Sequence, residues 1–171
     1  GTLNIEINGK TPGNTATDHD QLNVTGTVTL GGTAILNLIG GVALTGGDEL
    51  VIINNDGADA VSGTFMGLPE GSAVSVGALS GFISYIGGDG NDATIYSPDT
   101  DVVLNGGGAL GVTDVNGDHA DSLTLTINGG NLRINDPSRL LRAAGAGVVQ
   151  IDKRTVDVPL AGITSGLTVD T

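Results

Sequence analysis

The sequence predicts an all-β chain, and three observations predict it. Aliphatic and β-branched residues alternate with polar ones at a period of two over most of the length. Thirty glycines interrupt these runs at short intervals, and only one short segment carries helix signals. The aromatic residues are four, Phe65, Phe82, Tyr85 and Tyr96, with no Trp, so the core must be built from Val, Ile, Leu, Ala and Thr, which suit flat, repetitive β layers.

Taken in order, Thr2 to Ile7 alternates polar and apolar residues before the Asn8-Gly9 turn, and Gln21 to Leu30 alternates with equal clarity. Both patterns are those of half-buried strands. Thr33 to Ile39 follows Gly31-Gly32, and Glu49 to Asn54, Val61 to Phe65, Ala73 to Val76 and Phe82 to Ile86 complete seven strands with no helix between them. The 171 residues fit one domain or two small ones. Pro98 divides them into a first β module, 1–98, and a second β-rich module, 99–171, that continues the repeat.

The second module carries an internal echo. Leu104-Asn105-Gly106-Gly107-Gly108-Ala109-Leu110 is followed 22 to 23 residues later by Ile127-Asn128-Gly129-Gly130-Asn131-Leu132. An offset of that size is about one coil of a solenoid, although Asn-Gly after a β run is also a hairpin signal. Pro137 to Ala143 reads as a helix of one or two turns, with Asp136 as N-cap and Pro137 at the first helical position. Val148 to Leu160 and Leu167 to Val169 resume the strand pattern. A parallel β-solenoid and a β-sandwich, or a pair of sandwiches, both satisfy these patterns.

Nineteen acidic residues face six basic ones, and 16 of the acids are Asp. Aspartate favours turns and calcium loops where glutamate favours helices, so the negative charge is expected at loop tips. A net charge of -13 argues against nucleic acid or anionic lipid as a partner. No stretch approaches the ~20 apolar residues of a membrane helix. The chain opens at Gly1 without a charged-then-apolar leader, as a mature or excised piece of a longer secreted protein would. Absence of Cys excludes disulfide and thiol chemistry.

Two turns have the residue types that calcium requires, six to eight hard oxygens converging at about 2.3 to 2.6 Å. Gly87, Gly88, Gly90 and Asp92 fit the opening of the G-G-x-G-x-D-x-U-x nonapeptide, with Thr94 at the position of its large apolar residue. The candidate ligands there are Asp89, Asn91 and Asp92, to be completed by Asp99, Asp101 or another chain. Asp114, Asn116, Asp118 and Asp121 form a D-x-N-x-D loop, without the Gly and the terminal Glu of an EF-hand. Plain turns, a β-turn in which Asn and Asp accept backbone N–H groups in the first segment and an Asn116-Gly117 hairpin turn in the second, are the favoured account of both. Asp18-His19-Asp20 is a weaker metal candidate. Arg133, Arg139 and Arg142 belong to a basic region that offers an acidic glycan a binding patch, or a solvated strand face.

The inventory gives catalysis little to work with: the bases His19 and His119 both lie in acidic turns, away from any nucleophile-elbow motif. No enzymatic activity is expected, and a carbohydrate-active β-helix enzyme is the minor alternative.

Asp20 to Gly32, then Gly63-Thr64-Phe65 with Leu68-Pro69-Glu70-Gly71, then Ile83-Ser84-Tyr85 with Gly87 to Asp92, resemble a module of very large bacterial surface proteins. Those proteins carry autotransporter-type β-strand repeats and hemolysin-type calcium repeats. The resemblance covers about residues 2 to 97 and is weaker from 101 onwards. It implies a right-handed parallel β-helix, an extracellular location at the bacterial cell surface, and a structural or adhesive role in which calcium stiffens acidic turns. The implied partners are neighbouring repeats, copies of the same chain, or surface glycans, and a fibre subunit completed by a strand such as Thr2 to Ile7 is a variant of the same role.

Overall fold

The computed structural model describes residues 1–117 and 121–170. It is all-β, with fifteen strands and a single 3-10 turn, Leu160–Gly162, among the described residues. No helix there is long and apolar enough to cross a membrane. The chain divides into two compact units, Gly1–Ser97 and Pro98–Thr171.

In the first unit, β1 (Thr2–Ile7) lies parallel to β3 (Ile35–Gly40), and β2 (Leu22–Val24) lies parallel to β4 (Glu49–Asn55). A third parallel bridge joins Thr29 to Ser62. The offset is nearly constant. Asn37 donates from Nδ2 to Asn4 Oδ1 at 2.8 Å across 33 residues, and Asn54 donates to Asn23 Oδ1 at 2.8 Å across 31. Residues 1–33 and 34–66 therefore run as two superposed layers, with Leu3, Ile5 and Ile7 turned inward and Thr2, Asn4 and Glu6 outward. That in–out alternation is the period-two pattern visible in the sequence.

The rest of the unit is a meander. β5 (Ala73–Val76), β6 (Leu79–Gly87) and β7 (Asp92–Tyr96) extend the second layer antiparallel, in the sheet order β2-β4-β7-β6-β5. Ile52, Ile53, Phe65, Ile83 and Ile95, each no more than 1% exposed, form the centre of the core.

In the second unit, two four-stranded sheets share one core. The first sheet has the order β12-β8-β9-β15, from β8 (Thr100–Leu104), β9 (Ala109–Asp114), β12 (Leu141–Gly145) and β15 (Gly166–Asp170). The second has the order β10-β11-β14-β13, from β10 (Thr124–Asn128), β11 (Asn131–Asn135), β13 (Val149–Asp152) and β14 (Thr155–Pro159). Val102, Leu110 and Val112 of one meet Ile134, Val156 and Val158 of the other. This is the sandwich arrangement.

Three sequence readings are corrected here. The two Asn-Gly-Gly copies are not successive coils, because each closes an antiparallel hairpin. Gly129 and Gly130 adopt φ of +55° and +87° between the paired Asn128 and Asn131, the two-residue turn whose twist matches the strands. Pro137 to Ala143 does not form a helix. Asp136 does cap the segment, accepting the N–H groups of Ser138 and Arg139, but Leu140 and Leu141 are both buried and Leu141 begins the parallel ladder with Thr100. Burial of adjacent apolar residues overrides the local cap signal. Finally, Gln21 to Leu30 and Val61 to Phe65 contain only β2 and isolated bridges, since Gly26 and Gly63, at φ of +100° and +84°, break the extended backbone there.

Candidate functional site

The β6–β7 hairpin brings the nonapeptide-like turn against a loop of β4 far away in sequence. Gly90 N–H closes the turn on Gly87 C=O at 2.7 Å. Gly88 has φ +57°, and a Cβ there would lie 1.8 Å from Asp92 Oδ2, so this position tolerates no side chain. Asp92 is buried, accepting Asn55 N–H at 2.8 Å through Oδ1. Burial pushes its carboxyl above the ordinary carboxylate value, hydrogen bonds from Asn55 and Asp89 oppose that, and the charges of Asp89 and Glu49 add to the rise. Asp89 is exposed.

Asn91 turns inward. Its Nδ2 donates to Gly57 C=O at 3.1 Å and Asp59 C=O at 3.4 Å, while Asn55 Nδ2 donates to the same Asp59 carbonyl at 2.6 Å. The turn thus meets the loop 55–59, whose Asn55 and Asp59 the sequence reading does not single out. Their one local signal is the Asn-Asn-Asp-Gly cluster that ends β4. Asp99 and Asp101, the residues expected to complete the turn, have other partners. Asp99 accepts Leu140 N–H at 2.8 Å, and Asp101 is held by Arg142.

In the second candidate loop, Asp114 Oδ1 accepts the N–H groups of Asn116 and Gly117, an ordinary Asx turn. Asn116 Nδ2 donates to Asp99 at 2.7 Å, and Asp121 accepts the Thr100 hydroxyl at 3.1 Å. Burial raises the Asp121 carboxyl, the Thr100 hydroxyl lowers it, and Asp114 and Asp136 raise it further. Asp118 and His119 lie outside the described residues. Among the described residues no three His, Cys, Asp or Glu side chains gather closely enough to hold a metal ion.

Asp18-His19-Asp20 is drawn apart by local bonding. Asp18 accepts Thr15 N–H, Asp20 accepts Glu6 N–H, and His19 is buried with Nε2 3.3 Å from Val51 C=O. The three arginines each face an aspartate. Arg133 forms a two-bond pair with its cross-strand neighbour Asp157 at 2.7 Å, and Arg142 does the same with Asp101 at 2.7 and 2.6 Å. Arg139 lies 3.8 Å from Asp99. The Arg133 guanidinium holds the Asp157 carboxyl below its usual range.

No protein family, curated protein or solved structure matches the chain.

Proposed function

We propose that the chain is a non-catalytic structural module of an extracellular bacterial surface protein, in which residues 1–66 are two coils of a right-handed parallel β-solenoid. The observation that carries this reading is the nearly constant offset of the parallel ladders, with an asparagine pair across each of the two. Amide side chains stacked in register bond along the stacking axis, and that bonding repeats only when coils superpose. The resemblance to surface proteins with β-strand repeats points the same way, to a stalk that sets distance and stiffness.

The first coil has an open side. Among the described strands β1 pairs with β3 alone, its outer edge being bonded by Asp20 at Glu6 and by Asp18 just beyond it at Asn8, and β2 lies at the edge of its sheet. Leu30 N–H bonds Ser62 C=O and Ser62 N–H bonds Val28 C=O, so the backbone groups of Thr29 face away from the second coil. Beside this edge lies an apolar-lined recess of about 490 Å³, bounded by Leu3, Leu22, Val24, Val28, Leu30 and Phe65. A further coil in the same register would cover the recess and continue both asparagine ladders. The opposite side is already taken along β4 by β7. Glycan binding has less support, since Arg133 and Arg142 are neutralised by Asp157 and Asp101.

Placing a second copy of residues 1–33 ahead of Gly1 tests the solenoid reading. The added coil is expected to fold on the open edge, raising the melting temperature by several degrees and slowing amide exchange from Thr2 to Leu30. An added segment that stays protease-sensitive and leaves exchange unchanged would favour a sandwich-like unit with no stalk role. Concentration-dependent self-association of the unmodified chain through the same edge would favour the fibre subunit.

A further inference from the structure

Four buried side-chain oxygens in the first unit have no hydrogen-bond partner, Asn55 Oδ1, Asp59 Oδ2, Asn91 Oδ1 and Thr94 Oγ1, and the first three belong to residues tied together at the loop 55–59. Asn55 is 1% exposed and Asn91 5%, so neither amide oxygen has bulk water as a substitute. An unpaired buried oxygen costs about 1 to 3 kcal/mol, and three in one neighbourhood call for a common ligand.

The amides cannot be turned to relieve this. Both Nδ2 groups donate to backbone carbonyls, Asn55 to Asp59 and Asn91 to Gly57 and Asp59. A rotated amide would set oxygen against oxygen, so the carbonyls fix which end of each side chain faces them. The Asp59 carbonyl receives both amides, which gathers the two Asn heads at the backbone of the residue that also carries the unpaired carboxylate oxygen. No cationic side chain is paired with Asp59 in any ion pair described for the unit.

We propose that Asn55, Asp59 and Asn91 are ligands of a calcium ion that ties the loop after β4 to the β6–β7 turn. One carboxylate and two amide oxygens, completed by water, are the hard neutral and anionic donors calcium takes, and the irregular loop suits its tolerant geometry better than the strict octahedron of magnesium. Asp56 and Asp92, each next in chain to a ligand, add negative charge around the ion. The site differs from the one expected from the turn alone: it uses Asn91 of that turn, adds Asn55 and Asp59, and leaves Asp92 to the Asn55 N–H. Asn55 and Asp59 lie in the second layer, but the site rests on their unpaired oxygens and not on the superposition of the two layers, so it stands apart from the solenoid reading.

The test is thermal unfolding of the whole chain in EDTA, in 5 mM calcium and in 5 mM magnesium, with Asp59→Ala beside it. Extracellular calcium modules bind with dissociation constants of about 0.1 to 1 mM, so calcium is expected to raise the wild-type midpoint by about 3 to 6 °C, and magnesium far less. Asp59→Ala keeps the backbone carbonyl that anchors both amides, so it is expected to fold and to lose most of the calcium shift. An equal shift in wild type and variant would place the ion elsewhere and overturn the proposal, as would no shift in either, which would leave ordered water as the partner of the three oxygens. Should the variant fail to fold, a paramagnetic lanthanide titrated into wild type gives the same decision. Broadening centred on amides 55–59 and 88–92 supports the site, and broadening centred on 114–121 overturns it.

Discussion

Phe65→Ala is expected to destabilise the first unit by about 4 kcal/mol, the cost of truncating a buried aromatic side chain whose surroundings collapse only in part. Phe65 is 1% exposed, and its ring lies 6.2 Å from that of Tyr85 at a tilt of 42°. The two residues are also joined through the backbone. The Tyr85 hydroxyl accepts Phe65 N–H at 3.0 Å and donates to Leu68 C=O at 2.7 Å, so one phenol holds the turn that ends the second layer. Burial outweighs the opposing Phe65 hydrogen bond and, with a smaller contribution from the Glu70 carboxylate, holds that phenol above its ordinary value and keeps it a donor. Phe65→Leu keeps most of the volume and is expected to lose about 1.5 kcal/mol. Urea unfolding of the three proteins reads these differences as shifts of the midpoint at an unchanged slope. Equal, small losses in both variants would mean that the ring packs against solvent in the open recess and not against the core.

The β1 alternation was legible because its two faces meet different surroundings, apolar interior and water, and the observed strand matches the sequence pattern from Thr2 to Ile7. β7 was not legible as a strand of its own. It lies between β4 and β6, all five of its residues are buried, and a strand covered on both faces shows no alternation. The candidate metal turn was legible in half: its glycines and Asp92 are consecutive, whereas Asn55 is 36 residues from the Asn91 carbonyl it also reaches. Only the antiparallel return of β7 along β4 brings them together. The Asn-Gly-Gly echo illustrates the opposite problem. Local sequence specified a tight turn correctly but not whether the following strand returns beside its predecessor or advances to a new layer, which the packing of Leu104, Leu110, Leu132 and Ile134 into one core decides.

Asp136 of the second unit carries the other large expected effect. Its side chain accepts four hydrogen bonds, from Ser122 N–H at 2.7 Å, Ser138 N–H at 2.8 Å, the Ser138 hydroxyl at 3.0 Å and Arg139 N–H at 3.1 Å. One carboxylate thereby fixes the approach to β10 and the approach to β12, the strands of two different sheets. Asp136→Ala is expected to destabilise the unit by about 3 kcal/mol, since charge-assisted hydrogen bonds contribute about 1.5 to 3 kcal/mol each and some of the freed donors regain water. Asp136→Asn should fall between, because an amide presents an oxygen to one set of donors and an N–H to the other. Burial alone would raise the Asp136 carboxyl, but the hydrogen bonds from Ser138, Ser122 and Arg139 outweigh it and the folded group titrates below its usual value. A carboxyl depressed in the folded state contributes stability that is present above its unfolded pKa, about 4, and lost as pH falls through the lower folded value. The gap between wild type and Asp136→Asn in urea unfolding is therefore expected to be full at pH 6 and to narrow steadily below pH 4. A gap independent of pH would show that Asp136 acts as a neutral hydrogen-bonding group, and that the turn from β11 into β12 is held by the burial of Leu140 and Leu141 instead of by charge.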